Sequence, residues 1–137
     1  MMGRHLAALM MAGLMAGPVA AQDSFMLPDL NEEPENPDCP DAPARPEWVA
    51  NPSNEGLTRS ELATELYQQE GYRNVVEAGE CTCELRFPSW DNVTEAMETE
   101  FAGISRFEFL EVIPDIRKAT KTYRNEGRPI CRDAGLW

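Results

Sequence analysis

The chain has 137 residues, with 24 acidic side chains against 12 basic ones, a formal net charge of −12 and one histidine. This length is enough for one domain. The acidic balance excludes nucleic acid as the principal ligand, because the phosphate backbone is itself negative. It fits a soluble protein or one that associates with a basic protein.

Residues 1–21 have the pattern of a signal peptide. Arg4 and His5 precede an apolar run over residues 6–15, and small residues up to Ala21 form a cleavage site before Gln22. A membrane anchor is the alternative, but a spanning helix needs about 20 apolar residues. We therefore expect cleavage near Ala21, export to the bacterial periplasm or outside the cell, and no stable membrane span.

Cleavage at this position removes the only histidine, His5, and five of the seven methionines. A mature chain without histidine excludes Ser–His and Cys–His catalytic relays, imidazole metal sites and C-x-x-C-H haem attachment. The loss of methionines also leaves little material for a thioether copper site. We expect a protein that is not an enzyme and that holds neither a cofactor nor a metal.

Residues 22–56 form an acidic, proline-rich arm, with seven prolines and nine acidic residues against Arg45 alone. Proline fixes φ and lacks an amide donor, so this spacing predicts an extended, partly disordered segment. Phe25 and Leu27 lie near its start as candidate contacts to a partner. The alternatives are that they dock on the chain's own domain or belong to a loosely attached tail.

Residues 57–137 are predicted to form a small helical domain. Thr58 and Glu61 have the spacing of a capping box, which begins a helix from about Arg59 to Glu70, and Gly71 is its predicted stop. The alternating residues 81–87 predict a short strand that Pro88 ends.

The second half of this domain carries the clearest amphipathic pattern. Trp90, Val93, Met97, Phe101 and Ile104 recur at steps of three and four residues, which predicts one helix. The apolar cluster of residues 107–113 predicts a helix packed on two sides, and Pro114 separates it from a last helix, Asp115 to Arg124. The predicted fold is mainly α, with three to four helices and a short candidate strand at 81–87.

Four cysteines, Cys39, Cys81, Cys83 and Cys131, indicate two disulfides in an exported chain of this size. A bond between Cys81 and Cys83 requires a strained ring, so two pairings remain open. Either Cys39 pairs with Cys81 and Cys83 with Cys131, or Cys39 pairs with Cys83 and Cys81 with Cys131. Each closes a loop of about 40–50 residues, worth on the order of 4 kcal/mol in the chain-entropy model.

A stripe of basic residues follows Pro114. Arg117, Lys121, Arg124 and Arg128 recur at helical spacing and offer a face to an anionic partner. The alternatives are a solvated helix face or a contact with the acidic arm.

Together these features predict a non-enzymatic exported binding or accessory protein. We expect a small adaptor subunit of an envelope assembly, whose partner is another envelope or secreted protein with a basic surface. The alternative is a periplasmic thiol-redox or soft-metal-binding protein that uses the Cys81-x-Cys83 pair, since thiolates suit Cu(I) and zinc.

Overall fold

A computed structural model describes residues 36–137, and the structural statements that follow concern this part of the chain. It is mainly helical and contains no strand within these residues, which confirms the predicted fold class. The helices are α1 (Glu47–Ala50), α2 (Leu57–Ala78), α3 (Cys83–Arg86), α4 (Asp91–Glu98) and α5 (Arg106–Asp133), with a 3-10 turn over Asn54–Gly56. The predicted signal peptide, Phe25 and Leu27 lie outside the described residues.

The two long helices, α2 and α5, lie side by side and run in the same direction. Glu61 near the start of α2 contacts Arg106 and Arg117 in the first half of α5, whereas Tyr72 and Val75 near its end lie against Gly127. In the sequence, α4 lies between these two helices. Its first residues are beside the second half of α2, where Asn92 donates a hydrogen bond to Glu70. The segment from α4 to α5 therefore returns the chain to the start of α2.

The main hydrophobic core is built where α1, α2, α4 and α5 meet. Its buried residues are Val49, Leu62, Ala63, Tyr67, Trp90, Val93, Met97, Phe109 and Ile113. The rings of Tyr67 and Trp90 stack with their centroids 3.8 Å apart, and the Tyr67 hydroxyl donates to the Pro88 carbonyl. A smaller cluster at the far end contains Val75, Cys81 and Cys131.

Part of the predicted arm packs against this core. Val49 of α1 is 3 % exposed, and its carbonyl accepts a hydrogen bond from the buried Ser60 hydroxyl at 2.8 Å. The Arg59 guanidinium lies over the Trp48 ring. The packed part of the described chain therefore extends N-terminal of residue 57, into the range that the sequence assigns to the arm.

The first predicted helix is longer than its sequence pattern indicates. It begins at Leu57, and its N-cap residue is Gly56, which has no side chain to cap the helix. Thr58 therefore lies within the helix and the predicted capping box is absent, while Glu61 pairs with Arg117. It passes through Gly71 and ends before Gly79, whose φ of 69° is the left-handed conformation of a helix C-cap. Gly71 is instead a contact point, because a Cβ there would lie 2.2 Å from the Arg86 carbonyl oxygen.

The predicted strand at 81–87 is wrong, because α3 occupies Cys83–Arg86. The Thr82 hydroxyl accepts a hydrogen bond from the Leu85 amide and caps this short helix. A strand also needs a neighbouring strand to satisfy its backbone groups, and the described chain offers none. The alternating pattern was too short to distinguish the two.

The predicted helix boundaries in the second half of the domain are also wrong. The chain leaves α4 at Glu98, and half-buried Phe101 and Ile104 reach the core from the turn that follows. The separate helices before and after Pro114 are one continuous α5. Pro114 and Leu110, whose carbonyl loses its amide partner, are both exposed, so water can satisfy that carbonyl while Phe109 and Ile113 keep the helix on the core.

Two helical glycines provide a matched test of this packing. Gly71→Ala forces a methyl group against the Arg86 backbone, and overpacking of this kind costs about 1–3 kcal/mol. Gly127→Ala is equally buried, but its Cβ meets its nearest neighbour at 3.5 Å, an ordinary contact. It should leave the free energy of unfolding unchanged or raise it by up to about 1 kcal/mol. Denaturant unfolding of the disulfide-intact variants measures both, and equal stabilities would contradict the close α2–α3 contact.

Candidate interaction surfaces

The four cysteines form two disulfides in the second of the two pairings that the sequence leaves open. Cys39 pairs with Cys83 and Cys81 pairs with Cys131, across sequence separations of 44 and 50 residues. The Cys81–Cys131 bond joins the chain after α2 to the end of α5 and is buried at both ends. The Cys39–Cys83 bond joins the N-terminal segment to α3, and its Cys83 side is partly exposed.

A pocket of about 390 Å³ lies beside the Cys39–Cys83 disulfide. Pro40, Pro43 and Phe87 are among its lining residues, together with the acidic side chains of Asp41 and Glu84. Hydrogen bonds from the backbone amide of Glu84 and from Thr82 lower the pKa of the Glu84 carboxyl. This pocket is where a reagent or a partner could reach the more accessible of the two disulfides.

The basic stripe lies on one helix, as its spacing predicts, because α5 runs unbroken from Arg106 to Asp133. The structure nevertheless uses two of its members internally. Arg117 bonds Glu61 at 2.6 Å and Glu65 at 3.4 Å, both on α2. Arg128 lies over the ring of Trp137, with the guanidinium 4.7 Å from the ring centroid.

The two remaining members of the stripe differ in exposure. Lys121 is exposed, whereas Arg124 is half-buried and its Nε is shielded from solvent without a hydrogen-bond partner in the described residues. The stripe is therefore less available to an external anion than its four charges indicate.

An exposed apolar ridge is present at the start of α5, where the sequence predicts a helix packed on two sides. Phe107 is 81 % exposed and Leu110 52 %, and Pro114 extends the ridge by one helical turn. Only Phe109 and Ile113 of this segment are buried. The prediction is wrong for Phe107 and Leu110, because a dense apolar run does not by itself show how many of its faces are covered.

Carboxylates lie along one side of this ridge. Glu108 and Glu111 line a neighbouring groove of about 340 Å³ together with Glu100 and Val112. We call the surface formed by Phe107, Leu110, Pro114, Glu100, Glu108, Glu111 and Asp115 the acidic–apolar surface. Residues 91–115 carry seven acidic side chains against Arg106 alone, so this end of the molecule is strongly negative.

One of these carboxylates, that of Glu108, belongs to the capping box of α5. The Ser105 hydroxyl accepts from the Glu108 amide, while the Ser105 amide donates to the Glu108 carboxylate at 2.8 Å. Hydrogen bonds from the Ser105 side chain and then from its backbone lower the pKa of Glu108. The acids near the helix start and the bases in its second half also match the helix dipole.

The described part of the chain has neither a group of metal-ligating side chains nor a membrane-spanning helix. Within residues 36–137, no three His, Cys, Asp or Glu side chains are grouped so that they could hold a metal ion. No helix in this range has both the length and the apolar composition needed to cross a membrane.

We compared the chain with protein-family models, with curated proteins and with solved structures, and none of the three comparisons gave a match. The functional interpretation therefore depends on the geometry of these surfaces.

The difference in disulfide burial predicts an order of reduction. The native, unreduced protein should contain no free thiol. Mild phosphine treatment followed by alkylation should label Cys39 and Cys83 first, because the Cys83 sulfur is the accessible one, whereas Cys81 and Cys131 should react only as the domain unfolds. Peptide mass mapping identifies the labelled pair. Early labelling of Cys131 would contradict the burial seen here.

Proposed function

We propose that this chain is a non-enzymatic exported binding or accessory protein, an adaptor subunit of an envelope assembly that docks a basic partner through the acidic–apolar surface. The observation that carries the proposal is the exposure of Phe107, at 81 %, beside the exposed Leu110 and next to the carboxylates of Glu108 and Glu111. Large aromatic side chains are enriched at the centres of protein interfaces.

Charge favours one kind of partner for this surface. Its carboxylates would repel an acidic protein and attract one with lysine or arginine around an apolar pocket. Phe107 would supply the apolar anchor, and Glu111 and Asp115 would set orientation and association rate. Phe25 and Leu27 of the arm, and the exposed Lys121 of the basic stripe, are proposed as further contacts outside this surface.

Export is the second part of the proposal. Two disulfides support an oxidising compartment such as the periplasm, because cytosolic thiols are kept reduced. The signal-peptide pattern of residues 1–21 supports the same location. The loss of His5 on cleavage supports a role in binding rather than in catalysis.

Two phenylalanines on α5 separate binding from folding. Phe109→Ala should lower the free energy of unfolding by about 3–5 kcal/mol, because Phe109 is 2 % exposed. Phe107→Ala should leave the melting temperature unchanged and weaken partner binding about tenfold or more. Asn125→Ala, an exposed change five helical turns along α5 and about 27 Å from Phe107, is the control for binding.

The partner should be captured in the envelope fraction by a photo-crosslinker at position 107 and again at position 110, but not at position 125. Binding of the identified, purified partner should weaken as salt is raised, and Glu111→Gln should reduce that salt dependence. Equal affinity of the wild type and Phe107→Ala for that partner would overturn the proposed docking surface.

The proposed cleavage of the signal peptide can be tested by mass. Intact-mass analysis of the protein recovered from its native compartment should give a chain that begins at Gln22. A mass that retains Arg4 and His5 would contradict both the cleavage site and the argument from the missing histidine.

The second candidate function is thiol exchange or soft-metal binding through Cys81 and Cys83. The pocket beside the partly exposed Cys39–Cys83 bond favours exchange at Cys83. The native thiol measurement described above separates the candidates, since two to four free thiols would favour the second and none would favour the adaptor role.

A further inference from the structure

The side chain of Arg86 is placed between aromatic rings at the junction of α2 and α3. Its guanidinium carbon lies 3.8 Å from the centroid of the Tyr72 ring and 4.8 Å from that of Phe87. The close approach of the α3 backbone to Gly71 holds it there. A guanidinium that is stacked on ring faces keeps its N–H groups in its own plane, where they can bind two oxygens of an anion side by side.

No carboxylate in residues 36–137 forms an ion pair with this group. The ion pairs of the described chain involve Arg73, Arg106 and Arg117, and Arg86 has none. A second cation, Arg124, is close enough to act on it electrostatically, and the shielded Nε of Arg124 has no hydrogen-bond partner within residues 36–137. Burial is the largest cause of a lowered pKa at Arg86, and Arg124 adds to it.

Two cations placed together and partly withdrawn from water are costly unless an anion accompanies them. Elsewhere in this domain that need is met, since Arg117 has two carboxylates on α2. At Arg86 residues 36–137 supply two ring faces and a side-chain hydrogen bond with Tyr72, but no carboxylate. An acceptor with negative charge is what this part of the chain does not provide.

A pocket of about 220 Å³ opens beside Arg86. Its lining includes the amide side chains of Asn36 and Gln68 and the guanidinium of Arg45. The aromatic residues Tyr67, Phe87 and Trp90 line it as well. No Asp or Glu of residues 36–137 lines it. Its size suits a small anion with a short organic group rather than a peptide segment.

We propose that this pocket binds a small oxyanion, a phosphate or a carboxylate, with Arg86 as the principal contact. The guanidinium edge donates two hydrogen bonds to two oxygens of the anion, the Gln68 amide donates a third, and Arg124 contributes positive potential. The site is separate from the acidic–apolar surface, so its occupancy is independent of the proposed adaptor role.

The test is a titration of the full mature protein with sodium phosphate and, separately, with sodium acetate, at an ionic strength kept constant with sodium chloride. Nitrogen-15 NMR follows the side-chain Nε–H signals of arginine and the amide signals of Gln68. We expect saturable shifts at Arg86 and Gln68. Saturation by both anions would define a carboxylate-compatible site, and saturation by phosphate alone would define a phosphate site.

Variants identify the contact. Arg86→Gln should weaken binding about tenfold or more, because hydrogen bonds to charged groups are among the stronger ones in proteins. Arg86→Lys keeps the charge without the planar donor pair and should weaken binding less. The matched control is Arg73→Gln on α2, since Arg73 is exposed and paired with Glu77, and it should bind as the wild type does.

Circular dichroism confirms that each variant is folded before it is titrated, and Arg86→Lys keeps the test valid if Arg86→Gln unfolds. Shifts that fail to saturate with either anion would overturn the proposal. An equal loss in Arg73→Gln would do the same, because it would show a general effect of charge.

Discussion

The Cys81-Thr82-Cys83 segment is the point at which three parts of the chain are joined. Cys81 binds the end of α5, Cys83 binds the N-terminal segment at Cys39, and Thr82 caps the short helix α3 between them. Because α2 leads directly into this segment, the disulfides hold the ends of both long helices and the arm at one place. The parallel arrangement of α2 and α5, and with it the core around Phe109, depends on that junction.

Acidic and basic side chains are also unevenly distributed over the domain. The end near the start of α5 is acidic and carries the exposed Phe107, whereas α5 from Arg117 onward has six basic side chains against Glu126 and Asp133. Of these cations, Arg117 forms ion pairs with α2 and Arg128 lies over the ring of Trp137. The acidic end has few internal partners, which is why its surface supports a docking role more strongly than the basic stripe does.

Several features of the fold follow from sequence patterns because local chemistry decides them. The helical class follows from apolar residues at steps of three and four, and the exclusion of a Cys81–Cys83 bond follows from ring strain. The buried positions Trp90, Val93 and Met97 also follow from periodicity, although the helix is shorter than the pattern. Helix ends were less predictable, since Gly71 and Pro114 are both residues that usually end helices and neither does so here.

The sequence by itself determined a small, acidic, helical, disulfide-linked domain, because composition, periodicity and cysteine spacing act locally or through the covalent chain. Only the tertiary structure decided which cysteines pair, which of Phe107 and Phe109 is covered, and that Arg86 has no ion-pair partner within residues 36–137. These outcomes depend on which helix faces meet. Helix α5 continues through Pro114 because packing of Phe109 and Ile113 outweighs the loss of one backbone hydrogen bond, and no local pattern contains that balance.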